Sequence, residues 1–215
     1  DTHLTTAYDI ALMSCALLKH EEIKEYTTIW MDTVRNGQFG LSNTNKLVRF
    51  YDGTTGLKTG YTSAAGYCLS ASAERGGMEL VAVVLHCKTS VDRFESAKAL
   101  LNYGFSGYAL VTPQPDGGVP SVPVVLGRQE AITPVPERTE PLLLEKALAS
   151  QVQTAVTVDE SVQAPVSAGQ RLGTMTVTAG ERLLAEIPLV APEDVPARTF
   201  PELWAEFLKH ICLSA

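Results

Sequence analysis

Thr54-Thr55-Gly56-Leu57-Lys58-Thr59-Gly60-Tyr61-Thr62, then Tyr67-Cys68-Leu69-Ser70-Ala71-Ser72-Ala73, then the run 78–87 with Leu80-Val81-Ala82-Val83-Val84-Leu85 at its centre: these stretches decide the fold. In the second, Tyr67, Leu69, Ala71 and Ala73 alternate with Cys68, Ser70 and Ser72, the period-2 pattern of a strand with one apolar face. The third is continuously apolar, as a strand covered on both faces is. Arg75-Gly76-Gly77 supplies a turn, so 57–63, 67–73 and 78–87 are predicted to form an antiparallel meander.

Helices are expected on either side of it. Thr6-x-x-Asp9 has the form of a capping box. Behind it Ala7, Ile10, Ala11, Leu17 and Leu18 share one helical face, while Leu12, Met13, Cys15 and Ala16 fill much of the rest, so this helix is predicted to be buried nearly all round. Residues 21–29 read as a shorter, wetter helix ended by a loop at Asn36-Gly37. Ser90 is expected to cap a helix to about Asn102, with Val91, Phe94, Ala97 and Leu101 inward and Gly104 as its stop.

The chain changes character near residue 110. All 12 prolines lie from Pro113 onward, and 109–199 contains no Phe, Trp or Tyr. Residues 1–108 carry 10 basic and 11 acidic groups and 109–215 carry 7 and 13, so nearly all of the net charge of −7 belongs to the second part. There, Val, Thr and Leu runs at 122–126, 131–135, 142–144, 152–158, 172–177 and 183–190 are separated by turn residues, with Thr178-Ala179-Gly180-Glu181 as a hairpin tip, and predict a small β-sandwich or barrel. Thr199-x-x-Glu202 opens a last helix in which Phe200, Leu203, Trp204, Phe207, Leu208 and Ile211 form one apolar stripe. The fold class expected is α+β, with parts at 1–110, 111–196 and 197–215.

The net acidity leaves no excess of Lys and Arg for a phosphate backbone, which argues against nucleic acid as a partner. The longest unbroken apolar run, 80–85, is far short of the roughly 20 residues of a membrane-spanning helix. Cys15, Cys68, Cys87 and Cys212 form no C-x-x-C pair and no disulfide scaffold. His86 and Cys87, adjacent on a strand, are expected to point to opposite faces, and His3, His20 and His210 lack metal-ligand spacing, so neither metal nor cofactor is expected.

Chemistry concentrates at Lys58-Thr59-Gly60. An ammonium biases a cleft toward anions, a hydroxyl donates to a carboxylate, and a residue without Cβ lets a substrate backbone lie alongside. Arg93, in the first turn of a helix where the macrodipole disfavours cations, suits a site that receives an anion. An edge-strand lysine with turn glycines, and a surface arginine balanced by Asp92, are the plain alternatives.

These features occur in order with Thr5-Thr6-Ala7-Tyr8-Asp9-Ile10-Ala11, Ser42-Asn43-Thr44-Asn45-Lys46-Leu47, Gly56-Leu57-Lys58-Thr59-Gly60-Tyr61-Thr62, Ala65-Gly66-Tyr67-Cys68-Leu69 and Asp92-Arg93-Phe94. Together they resemble the second half of a low-molecular-mass penicillin-binding protein, a serine-type D-alanyl-D-alanine carboxypeptidase, over essentially the whole chain. The resemblance implies the later half of a transpeptidase-like domain, a β-rich domain and a terminal amphipathic helix. It implies Lys58 as the catalytic lysine of K-T-G, Thr59 and Arg93 as ligands of the substrate's terminal carboxylate, and Gly60 as the point of close approach. An oxyanion N–H would come from Tyr61 or Thr62, and the sequence leaves both open. The implied partners are a peptidoglycan stem peptide and β-lactams, on the outer face of the bacterial cytoplasmic membrane.

The family's S-x-x-K and S-x-N motifs do not occur: none of the 13 serines has Lys three residues on or Asn two residues on. The chain begins at Asp1 without an initiator Met or a secretory signal. Its natural start, and roughly 45% of the mature protein, are expected to be missing, and the chain alone is not expected to turn over substrate. Apolar surface on the 80–85 strand is then expected to be exposed. The terminal helix has two readings, a membrane surface or a protein surface, and Glu202 and Glu206 against Arg198 and Lys209 leave it without the basic excess that anionic lipid favours. A β-lactamase is disfavoured by the β domain and the terminal helix; a non-catalytic scaffold or wall-binding module is the rival of a different class.

Overall fold

The structure, a computed structural model, describes residues 4–213, and within the last helix the side chains of 200–205 and 207–209. Expectations placed on Asp1 and His3, and on the side chains of Glu206, His210, Ile211 and Cys212, lie outside the described residues. The fold class is α+β, and the chain divides into two compact units, Asp1–Ala109 and Leu110–Ala215.

The first unit contains α1 (Ala7–Leu18), α2 (Glu22–Thr27), β1 (Met31–Val34), β2 (Phe39–Ser42), α3 (Leu47–Phe50), β3 (Thr54–Thr62), β4 (Gly66–Arg75), β5 (Met78–Cys87) and α4 (Ser90–Gly107). The meander forms as the alternation predicts, in the order β3-β4-β5, antiparallel throughout. Leu69, Ala71 and Ala73 put one face of β4 into a core with Ala82 and Val84 of β5, Leu47 of α3, and Phe94, Ala97 and Leu101 of α4. Ala71, Ala73 and Ala97 are fully buried, and their small side chains let α4 lie close to the sheet. Burial of Phe94 or Leu101 contributes about 1.5–3 kcal/mol each. The opposite face of β4 carries Ser70, whose hydroxyl pairs with that of Ser14 in α1 at 2.7 Å.

Four local expectations are corrected. The Thr6–Asp9 capping box forms, but α1 is not buried all round: Ser14 and Leu18 are buried while Tyr8, Leu12, Met13 and Leu17 are exposed. The helix rests on β5, β4 and α2 along one stripe, which leaves the remainder of its apolar surface uncovered. The loop expected at Asn36-Gly37 is the tip of a β1–β2 hairpin, with Arg35, Asn36 and Gly37 at positive φ. All eight of its strand residues are exposed, so no buried face imposes a readable alternation. Thr89, not Ser90, caps α4: Thr89 Oγ1 accepts from the Asp92 N–H at 3.1 Å and Asp92 Oδ2 accepts from the Thr89 N–H at 3.0 Å. Val91, expected inward, is exposed in the first turn of α4, ahead of the core that Phe94, Ala97 and Leu101 enter. Gly104 does not stop α4, which continues to Gly107; a Cβ at Gly104 would lie 2.5 Å from Leu80 Cδ1, so the glycine serves close helix–strand packing.

Beside the sheet, Lys24 of α2 makes ion pairs with Glu21, Glu74 and Glu79 at 3.2–3.3 Å. Burial disfavours its charge, but hydrogen bonds to Glu74, Glu21 and Glu79 outweigh that and hold the ammonium above the usual lysine range.

At the junction of the units lies β6 (Tyr108–Val111). Beyond it come β7 (Val122–Val125), β8 (Ala131–Ile132), β9 (Val135–Pro136), β10 (Leu142–Glu145), a helical turn α5 (Lys146–Ala149), β11 (Val152–Val158), β12 (Val162–Gln163), β13 (Arg171–Ala179), β14 (Arg182–Val190) and α6 (Phe200–Leu213). A four-stranded sheet runs β11-β13-β14-β9 and a three-stranded one β12-β7-β8. Gly180, at φ 57°, turns the β13–β14 hairpin where the sequence placed a tip. Without aromatic side chains, the core is built from Val122, Val124, Val166 and Leu172 in one cluster and Met175, Val177, Ile187 and Leu189 in another.

The base of α6 is fixed to this unit. The Arg198 N–H donates to the Leu126 carbonyl at 2.8 Å, and the Arg128 side chain pairs with Glu202 at 3.2 Å. Glu202 Oε2 also accepts from the Thr199 N–H at 2.7 Å, as the capping motif predicts. Phe200, Trp204, Phe207 and Leu208 are exposed. Among the described residues, no helix is long and apolar enough to cross a membrane.

Candidate active site

In the order β3-β4-β5, β3 is an edge strand, and Lys58, Thr59, Gly60, Tyr61 and Thr62 line a cleft of about 360 Å³ along it. Ile10 of α1 and Cys68 and Ser70 of β4 complete the walls used below. Lys58 stands opposite Ser70 in register and therefore on the α1 side of the sheet. It is exposed, and its ammonium donates to the Thr59 carbonyl at 2.7 Å, leaving two N–H groups for other acceptors. Among the described residues, a Cβ at residue 60 would meet only Cys68 Cβ, at 3.9 Å, so the strand there has room for a close neighbour.

Thr59 is buried, and its Oγ1 lies 2.6 Å from Thr44 Oγ1. The segment Asn43-Thr44-Asn45 is held by side-chain amides. Asn45 Nδ2 donates to the Gly56 carbonyl at 2.9 Å, Asn45 Oδ1 accepts from the Leu47 N–H, and Asn43 Oδ1 accepts from the Asn45 N–H. Asn43 Nδ2 donates to the carbonyls of Thr27 and Ile29. At 1% exposure, Asn45 can satisfy its amide only within the protein. The sequence names Thr44 and Asn45 only within the family resemblance and Ser70 only within the strand alternation, with no site role for any of them. Two amides flanking a hydroxyl between β2 and α3 are a turn-forming signal, whereas Ser70 reads as one more polar member of the alternation.

Arg93 is placed differently from the expectation. It extends from α4, on the sheet face opposite Lys58, is 8% exposed, and is not among the residues lining the cleft. Its Nη1 donates to the carbonyls of Gly60 at 3.3 Å and Cys68 at 3.5 Å, and its guanidinium lies over the rings of Phe94 and Tyr67. Nε is buried with no partner. Lys58 and Arg93 thus approach the same strand from its two faces.

That contact also fixes the direction of the backbone. Gly60 and Cys68 are paired in register, and one nitrogen reaches both carbonyl oxygens, which requires that the two oxygens point toward each other's strand. Within a trans peptide the N–H opposes the C=O. The Tyr61 N–H therefore points away from β4, to the open edge and the cleft, while the Thr62 N–H turns inward. Tyr61 itself is 60% exposed with its ring 4.4 Å from that of Tyr67. Thr62 Oγ1 accepts from the Ala65 N–H and tightens the β3–β4 turn. His86, at φ 57°, lies where β5 slips its register against β4. Next to it, burial first, then Asp92 and Cys68, push the Cys87 thiol up, so it stays protonated at neutral pH.

Residues 1–89 match the family model for D-alanyl-D-alanine carboxypeptidases, and residues 108–197 match that for the C-terminal domain of penicillin-binding protein 5. The chain belongs to the D-alanyl-D-alanine carboxypeptidase family. Within that family it is 35% identical over 203 residues to the D-alanyl-D-alanine carboxypeptidase DacF of Bacillus subtilis, covering 92% of this chain and 52% of DacF. It is 32% identical over 211 residues to DacD of Salmonella typhimurium, covering 96% of this chain and 53% of DacD. Penicillin binding protein 5 from Haemophilus influenzae superposes on 89% of this chain and 57% of its own, at 25% identity and a TM-score of 0.64. The chain thus spans about half the length of the curated carboxypeptidases it matches.

Proposed function

We propose that the protein carrying this chain removes the terminal D-alanine from peptidoglycan stem peptides through an acyl-serine intermediate, which β-lactams trap. The nucleophilic serine and its activating lysine belong to an S-x-x-K motif, which none of the serines of this chain occupies. The observation that carries the reading is the open edge of β3, where Lys58, Thr59, Gly60 and the Tyr61 N–H face one cleft.

A peptide laid along that edge finds backbone partners and, over Gly60, room for its own main chain. Lys58 provides positive charge and supports proton transfer at the reacting serine. Thr59 donates to the terminal carboxylate of the leaving residue. The Tyr61 N–H stabilises the oxyanion, a role the backbone direction favours over Thr62. Arg93, which grips the Gly60 carbonyl from behind, fits a positioning role for that peptide plane better than direct contact with substrate.

The same reading places the protein outside the cytoplasmic membrane, with the stripe of exposed Phe200, Trp204, Phe207 and Leu208 and half-buried Leu203 lying on the membrane's outer surface. Fluorescent penicillin tests the activity. Covalent labelling of the full-length protein, abolished by unlabelled penicillin, is the expected result; absence of labelling at any concentration of probe would leave a non-catalytic scaffold.

A further inference from the structure

We infer that Thr44 is a positioning residue that sets the direction of the Thr59 hydroxyl proton and so makes Thr59 a carboxylate donor. The inference rests on the reading of Thr59 just given and adds a residue to it. A threonine hydroxyl has one proton to give and two lone pairs to receive. The two oxygens lie 2.6 Å apart and share one hydrogen bond, in which either can be the donor.

The direction matters because Thr59 cannot donate to Thr44 and to an anion at once. If Thr44 donates, the Thr59 proton is free to turn to the cleft and its oxygen is already polarised. A chain then runs from Thr44 through Thr59 to the carboxylate, each bond strengthening the next. If Thr59 were alone, its proton would settle on the nearest backbone acceptor and would have to be redirected when substrate arrived.

Thr44 is built to hold that position. Its neighbours Asn43 and Asn45 tie the segment to α2, to the residues that follow it, to α3 and to β3 through four hydrogen bonds of 2.9–3.2 Å, and the Asn45 N–H donates to Asn43 Oδ1 within the segment. Thr44 itself is exposed, so its own lone pairs stay solvated while its proton is committed. The sequence cost of this arrangement is small, a hydroxyl at one loop position, and valine has nearly the same shape without it.

The test compares wild type, Thr44→Val and Thr44→Ser in the full-length protein on a peptide ending in D-alanyl-D-alanine and on the methyl ester of the same peptide. Thr44→Val is expected to raise KM for the free carboxylate about fivefold with kcat nearly unchanged. Thr44→Ser is expected to restore the wild-type value, and the ester, which presents no anion, should not distinguish the three proteins. Equal KM values on the free carboxylate would overturn the role of Thr44, as would an equal rise on the ester, which would signal only a displaced loop. A wild type that neither hydrolyses the peptide nor labels with penicillin overturns the carboxypeptidase reading and this one with it, and is recognised before any variant is made.

Discussion

The guanidinium of Arg93 holds the carbonyl of Gly60 from the helix side of the sheet, at 3.3 Å, while the cleft opens along the outer edge of the same strand. Replacement by Met leaves the packing stem but removes the donor shared by two strands. Arg93→Met is expected to lower stability by about 2 kcal/mol in urea denaturation. Arg93→Lys should recover little of it, because an ammonium lacks the planar fork that meets two carbonyls and covers Tyr67. Recovery to within 0.5 kcal/mol, on the order of an ordinary surface change, would contradict the clamp.

Lys58 gives the opposite profile. It is exposed and, among the described residues, bonds only its neighbour's carbonyl, so Lys58→Ala is expected to change stability by less than about 0.5 kcal/mol. Penicillin acylation of the full-length protein should nevertheless fall by roughly 100-fold or more, the range of a lost acid–base or charge-stabilising group. A stable variant that acylates normally would remove Lys58 from the chemistry.

Asn45 has the reverse balance, being structural in full. Asn45→Ala strips a donor from the Gly56 carbonyl and an acceptor from the Leu47 N–H inside the protein. A loss of about 2–3 kcal/mol is expected, read as a lower denaturation midpoint at unchanged slope.

The second unit offers a backbone test. A methyl group at Gly173 would collide with the Thr157 carbonyl oxygen and crowd Val158 on the paired strand. Gly173→Ala is therefore expected to cost roughly 1–3 kcal/mol in the thermal unfolding of the β unit.

At α6 the dependence is on pH. Hydrogen bonds from the Thr199 backbone and side chain, then the charge of Arg128, hold the Glu202 carboxyl below the usual range. A group whose folded pKa is depressed supports the folded state above its unfolded pKa and loses that support as pH falls through the folded value. Helix content at the C-terminus should therefore be constant from neutral pH down to about 4.3, the ordinary glutamate value, and decline below it. Glu202→Gln should show no such decline in circular dichroism. Separately, truncation after Pro196 is expected to abolish sedimentation with lipid vesicles; persistence would move the anchor elsewhere.

The sequence was informative where the two faces of a strand differ in chemistry. Alternation at 67–73 announced β4 because Leu69, Ala71 and Ala73 join the apolar core with α4, while Ser70 and Ser72, also buried, lie on the other face. It was silent at β1 and β2, whose residues are exposed on both sides, and it overstated the burial of α1, since apolar composition does not say which stripe a helix will find covered. At the site, Lys58 to Tyr61 could be named from residue types and from a family resemblance, whereas the side of the sheet from which Arg93 arrives could not. That depends on how α4 packs against the sheet, which the residue types along the helix do not state. Thr44 was invisible for a related reason: its importance lies in a distance to a residue 15 positions away.

The outward amide at residue 61 belongs to the main chain. Its direction is inherited from strand pairing, so any of the other side chains can replace tyrosine there without erasing the donor, and proline alone deletes it. Substitution can reshape the ring at this position while the hydrogen-bond donor persists.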